Sequence, residues 1–223
     1  MKGVLSLLSG LVLIVVILLT SIELNIFNLS FFRAEYAKLD STRVIGISDQ
    51  ELTQTTQGLL AYIKGDRDNL SIQATIKGEK RQVFNEREIK HMVDVRDLYT
   101  KAHWVRNTGA AVLIILLLLT FLLSGKKFLR LWAKGYLAGA AICLCLSIVL
   151  AGAIMKDFTG FWDKFHLIFF SNDLWQLNPE TDILIQIVPE QFFYDLVVRI
   201  LSFFAAGAAI MAILGGIILK KRY

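Results

Sequence analysis

Of the three histidines in the chain, two have a carboxylate at helical spacing. His91 precedes Asp94 by three positions and His166 follows Asp163 by three, so on a helix each pair shares a face. An acid beside an imidazole orients it and stabilises the imidazolium formed when it takes a proton, which suits general acid–base chemistry. A purely local helix-surface contact would need the same spacing, and that reading stays open for both pairs. His103, next to Trp104, reads as a structural residue at an interface. The sequence carries no GxSxG elbow, HExxH pair, paired-Cys zinc site or P-loop. Serine-type lipase chemistry and nucleotide-driven chemistry lose ground accordingly.

The elements that must position these histidines are dominated by four apolar blocks, 4–22, 108–124, 135–155 and 197–219. Each is close to the roughly 20 residues a helix needs to cross a bilayer core. The expected fold is therefore an α-helical integral membrane protein with four transmembrane helices. A small α+β extracytoplasmic domain and an aromatic-rich extracytoplasmic loop complete it. The parts run as an anchor (1–22), the α+β domain (23–107), a helical hairpin with a basic link (108–155), an interfacial loop (156–196), and a last helix with a basic tail (197–223). The first block exceeds the length of a signal-peptide core and lacks a small-x-small cleavage pattern, so it reads as a retained anchor.

Charge supplies the orientation. Lys2, the link residues Lys126, Lys127, Arg130 and Lys134, and the tail residues Lys220, Lys221 and Arg222 include no acid among them. Segment 23–107 is nearly balanced, and 156–196 is acidic. Basic residues collect on the cytoplasmic side, which puts both termini and the link there and the two large loops, with both His/Asp pairs, outside. The net charge of +5 then reflects topology, and anionic inner-leaflet lipid suffices to pair it. No basic face of the nucleic-acid-binding kind is seen. Arg199 is the one charge inside a block, which argues against a pump or secondary transporter. Cys143 and Cys145 both fall within the third block, so the outside segments hold no disulfide.

Within 23–107, Ser48 and Glu51 form a capping box opening a helix to about Lys64, stopped by Gly65. Residues 70–76 alternate as a half-buried strand, with a turn near Gly78 leading into 81–84. Asn85 and Glu88 repeat the capping spacing and open a second helix to about Val105. Within 156–196, ten aromatic residues suggest an interfacial or re-entrant helix, broken at Pro179 and Pro189. His166 lies among Phe161, Trp162, Phe165, Phe169 and Phe170, where a titrating side chain is costly without a partner. A base held at a lipid surface suits a substrate that is itself a lipid. Gly135 and Gly139, with the small-residue run 205–209, allow close approach between helices.

Two runs carry a family resemblance: Glu86-Arg87-Glu88-Ile89-Lys90-His91-Met92-Val93-Asp94-Val95 and Phe165-His166-Leu167-Ile168-Phe169-Phe170-Ser171-Asn172-Asp173-Leu174-Trp175. With the order of parts, they make the chain resemble the bacterial lipoprotein intramolecular transacylases, small integral proteins of the cell membrane. The resemblance implies an acyltransferase without a cofactor, whose partners are diacylated bacterial lipoproteins and membrane lipid. It would move the sn-2 acyl chain of a diacylglyceryl-cysteine to the N-terminal α-amine and leave a lyso-form lipoprotein. The motifs carry the catalytic proton transfers to His91 and His166, without saying which is base and which acid. Spacing adds Asp94 and Asp163 as orienting acids and Asn172 as a donor to the developing oxyanion, with Phe169, Phe170 and Trp175 lining the acyl-chain site.

Two competing readings follow from the same residues. Two His and two Asp would make a zinc set if the outside segments meet, giving a metallohydrolase acting on lipid or lipoprotein. A four-span assembly protein without catalysis would leave both histidines dispensable.

Overall fold

The computed structural model describes residues 1–221. Arg222 of the basic tail lies outside the described residues. The chain separates into two compact units. One comprises Met1–Leu24, Ala102–Phe158 and the chain from Val198 on; the other comprises Asn25–Lys101 and Thr159–Val197.

The first unit is built from long apolar helices: α1 (Lys2–Ile26), the later part of α5 (Glu86–Ser124), α6 (Phe128–Lys156) and most of α9 (Glu190–Lys220). Three stretches, Lys2–Ile26, Glu86–Lys156 and Glu190–Lys220, are long and apolar enough to cross a membrane. The second consists of α5 and α6, joined by the 3₁₀ turn Gly125–Lys127. Many large apolar side chains on these helices, such as Ile114, Leu146 and Val149, are exposed, as a lipid-facing surface requires. Helix α1 meets α6 through small residues. A Cβ on Gly10 would lie 2.7 Å from the Tyr136 Cα, and one on Gly135 would run into Ser6. The Ser6 hydroxyl donates to the Leu131 carbonyl at 2.5 Å. In lipid such close backbone approach replaces the hydrophobic drive available in water. Tyr136 donates its hydroxyl proton to the Ala208 carbonyl at 2.8 Å, tying α6 to the small-residue run of α9. Arg106 pairs with Glu23, and His103 lies 3.5 Å from the same carboxylate.

The second unit carries α2 (Leu29–Leu39), α3 (Ser41–Ile45), α4 (Asp49–Lys64), the hairpin β1 (Gln73–Ile76) and β2 (Glu79–Gln82), and the start of α5. It is completed by α7 from Thr159 on (Phe158–Phe169), α8 (Ile183–Ile187) and the first turns of α9. Ser48 caps α4 by accepting from the Glu51 N–H at 3.2 Å. Gly65, at φ 91°, closes the helix. The Glu51 carboxylate accepts from the Ser48 hydroxyl at 2.9 Å and from the Thr75 N–H at 2.9 Å, so one cap also anchors β1. These bonds hold its carboxyl below the ordinary range, the Thr75 N–H contributing most. Lys77 and Gly78 both have positive φ, the backbone of a tight two-residue hairpin. The antiparallel register pairs Gln73 with Gln82 and Ile76 with Glu79. The unit's core includes Phe31, Phe32 and Tyr36 of α2 gathered around the fully buried Phe192 of α9.

Several elements depart from the sequence expectation. Helix α5 does not end near Val105 but runs unbroken to Ser124. It contains no Pro, and a lone Gly109 costs only about 1 kcal/mol. The basic link shrinks to three residues, because Arg130 and Lys134 already belong to α6. Helix α9 starts at Glu190, directly after Pro189, where proline ends one segment and presets the next. Strand β2 begins two residues earlier than expected because the turn needs only Lys77 and Gly78. Helices α2 and α3 stand where no element was anticipated. Asn28 caps α2 and Gly46 closes α3.

Candidate active site

Helix α5 opens on a reciprocal capping box. The Glu88 N–H donates to the Asn85 side-chain oxygen at 3.0 Å, and the Asn85 N–H donates to the Glu88 carboxylate at 2.6 Å. The other Glu88 oxygen accepts the Leu184 N–H at 2.5 Å. Glu88 is only 1% exposed, and burial pushes its carboxyl up despite these bonds. Asn85 also donates its amide to Asp182 at 2.8 Å. The turn that carries His91 is thereby fixed to the segment leading into α8.

His91 is 7% exposed, and its Nδ1 is buried without a hydrogen-bond partner in the protein. Burial drives its pKa down to about 4, with His166 and Arg87 acting in the same direction and Asp94 opposing. On α7, His166 is 6% exposed. Its Nδ1 lies 2.8 Å from the Trp162 carbonyl. A carbonyl can only accept, so Nδ1 carries the proton and Nε2 keeps its lone pair. Burial lowers the His166 pKa too, against the opposing effects of the Trp162 carbonyl and Asp163.

The two imidazoles come together with ring centroids 6.1 Å apart. Aromatic rings enclose them. Phe170, itself buried, meets His91 edge-on at 5.3 Å and His166 at 5.6 Å. Trp162 and Phe165 present edges to His166 at 4.8 and 5.5 Å. Trp175 stacks on it at 4.6 Å with 20° between planes. The Trp175 Nε1–H, like His91 Nδ1, is buried without a protein partner.

The remaining expected site residues take definite places. Asp94 accepts from the Asn172 amide at 2.9 Å, and Asn172 accepts the Leu174 N–H at 3.0 Å. Asn172 therefore ties its loop to α5. Asp163 acts on His166 through its charge, while the Trp162 carbonyl supplies the hydrogen bond. Phe169 is 52% exposed and packs on Phe165. Among the described residues no group of three His, Cys, Asp or Glu is arranged to hold a metal ion, so the two His/Asp pairs do not converge into a zinc set.

Three participants escaped the sequence reading. Arg87, one turn before His91, donates to the Asp173 carbonyl and lies 3.5 Å from its carboxylate. With the Asn172–Asp94 bond, it straps loop 171–175 to α5 on both sides of His91. The i−4 spacing of Arg87 was the available signal. Glu88 was read as a cap alone, and the Trp162 backbone carbonyl left no trace in residue type. Asn85, Glu86, Arg87, Lys90 and Leu174 line a groove of about 490 Å³ along these same turns.

Comparison with known families finds a match to the model described as lipoprotein intramolecular transacylase Lit, over residues 7–193. The chain belongs to the Lit family. Among solved structures, the membrane integral Lit transacylase of Bacillus cereus matches with a TM-score of 0.81 at 20% identity, covering 99% of this chain and 96% of that one. Two variants of the Bacillus cereus protein, with a histidine replaced by arginine or by alanine, match at TM-scores of 0.77 and 0.78. Their identities are 20% and 21%, with 99% of this chain and 92% and 94% of those chains covered. At these identities the likeness is one of fold. Comparison with curated proteins finds no match. Membership of the Lit family, with the apolar helices, makes the chain a membrane-integral, acyl-transferring enzyme.

Proposed function

We propose that this Lit-family protein moves the sn-2 acyl chain of a diacylglyceryl-cysteine lipoprotein onto the α-amine of the same cysteine. The observation that carries the reading is the approach of two buried imidazoles, from segments far apart in sequence, to 6.1 Å. Amine and ester belong to one molecule, so holding them together gives high effective molarity without a second substrate. An α-amine with a pKa of about 7.7–8.0 is partly unprotonated near neutrality.

In this mechanism the amine nitrogen attacks the ester carbonyl, and His166 Nε2 takes the proton that the nitrogen loses. The carbonyl–glycerol oxygen bond then breaks, and the same proton returns to the departing oxygen. No atom is gained or lost. His91 remains neutral and donates a hydrogen bond from its single N–H to the developing oxyanion, a role open to an imidazole whose protonation is suppressed. Asp94, Asn172 and Arg87 hold the loop, and Asp163 biases His166 by its charge. Phe170 walls the two rings, and the exposed Phe169 meets the acyl chain.

The helices are arranged as four crossings, α5 and α6 forming separate spans, with both termini and the basic link in the cytoplasm and the site outside. The decisive measurement is mass spectrometry of a lipoprotein N-terminal peptide from a host without N-acylating enzymes. Expression of this chain should convert diacylglyceryl-Cys into the N-acyl, S-monoacylglyceryl isomer at unchanged mass. Absence of rearrangement, or loss of one acyl mass, would overturn the reading.

A further inference from the structure

A base buried among aromatic rings must hold a positive charge at the moment it takes a proton. In a Ser-His-Asp site a hydrogen-bonded carboxylate supports that charge. Here the Nδ1 position is filled by the neutral Trp162 carbonyl at 2.8 Å. The titratable group acting on His166 is Asp163 on its own helix; His91 on α5 faces it at 6.1 Å and is itself acted on by His166, Asp94 and Arg87. What covers the imidazole face is Trp175, nearly parallel at 4.6 Å. Of the other close rings, Trp162 and Phe165 approach at 84° and 88°, and Phe170 lies farther off at 5.6 Å, tilted by 38°. A π-face is electron-rich and attracts a cation, tryptophan most strongly of the aromatic side chains.

We infer that Trp175 is a positioning residue whose indole face supports the imidazolium of His166 during proton transfer. Its place is held by the loop it ends. Arg87 grips Asp173 and Asp94 grips Asn172, two and three residues before the indole. The support is confined to the protonated form, because a neutral imidazole gains only ordinary stacking from the same ring. Trp175 thus raises the basicity of His166 against the burial that lowers it. The inference rests on the reading of His166 as the base, but its test does not depend on turnover.

The experiment replaces Trp175 alone with 5-fluoro-, difluoro- and trifluorotryptophan by site-directed incorporation into the full chain in detergent micelles. Fluorine drains the π-face while nearly preserving ring shape. His166 is titrated by NMR of histidine-labelled protein, its signal assigned by loss in His166→Gln. The expected result is a stepwise fall of the His166 midpoint, reaching about one pH unit for the trifluoro ring. Trp175→Leu should give a fall at least as large. The acidic limb of the transfer profile of the fluorinated proteins should move in step to lower pH than in wild type. A midpoint indifferent to fluorination overturns the inference, even where transfer proceeds. A stepwise fall in a protein without transfer upholds the Trp175–His166 coupling and removes the acyl-transfer reading instead.

Discussion

The Nδ1–H of His166 donates to the carbonyl of Trp162, 2.8 Å away and one turn earlier in α7. His91, 6.1 Å away between ring centroids, has no such partner on its Nδ1. The two imidazoles are therefore unequal. The first is locked in the tautomer that leaves Nε2 basic, and no hydrogen bond from the protein fixes the second through its Nδ1.

Removing His166, the proposed base, should be the more damaging change. We predict that His166→Ala lowers acyl transfer by about 10²–10⁴-fold, the usual worth of general acid–base help. His91→Ala should cost about 10²–10³-fold, as loss of an oxyanion donor does. Both are read from the fraction of rearranged peptide in the mass spectrum at matched expression. Wild-type transfer in His166→Ala would remove it from the mechanism.

The Asn172–Asp94 bond can be tested by exchanging its partners. Asn172→Asp sets two carboxylates where an amide and a carboxylate stood 2.9 Å apart, so the loop should lift and transfer should fall several-fold. The double variant Asp94→Asn with Asn172→Asp rebuilds the bond with roles reversed and should recover most of the rate. The exposed position keeps the coupling to about 1 kcal/mol. Additive losses in the cycle would show that the two side chains act independently.

Acid should destabilise the fold through His91. Its pKa falls from 6.5 to about 4 on folding, so between those values the unfolded chain binds the extra proton and stability drops as the pH is lowered. The full effect is about 3 kcal/mol. Thermal unfolding in detergent between pH 7 and pH 4 should show the decline, and His91→Gln should flatten it relative to wild type. An identical slope in that variant would assign the acid sensitivity elsewhere.

Packing of α1 on α6 gives a paired prediction. Gly10→Ala puts a Cβ 2.7 Å from the Tyr136 backbone, which cannot yield locally, and should cost about 1–3 kcal/mol. Gly152→Ala meets nothing within 4 Å and should leave thermal stability unchanged or slightly raised. Equal melting temperatures for the two variants would contradict the close helix contact.

Much of this was legible in residue order. Ser48 with Gly65 marked α4, Asn85 with Glu88 marked the start of α5, and the apolar blocks marked the long helices, because caps and solvent preference are local signals. The approach of His91 to His166 was not legible. It depends on loop 171–175 and on Glu88 reaching Leu184, contacts between residues almost a hundred positions apart. Nor does residue type reveal a backbone acceptor such as the Trp162 carbonyl. Asp94 and Asp163 illustrate the limit: their spacing put each beside a histidine, while Asp94 accepts its hydrogen bond from Asn172 and His166 donates its own to the Trp162 carbonyl.

The bond from the Leu184 N–H to Glu88 has a consequence for the order of events during synthesis. Glu88 leaves the ribosome 96 residues before its partner, and Asn85 precedes Asp182 by 97. A half-made chain therefore carries the His91 turn with its buried acid still open to solvent. The packing that fixes the His91 turn cannot form until the segment around Leu184 has been made.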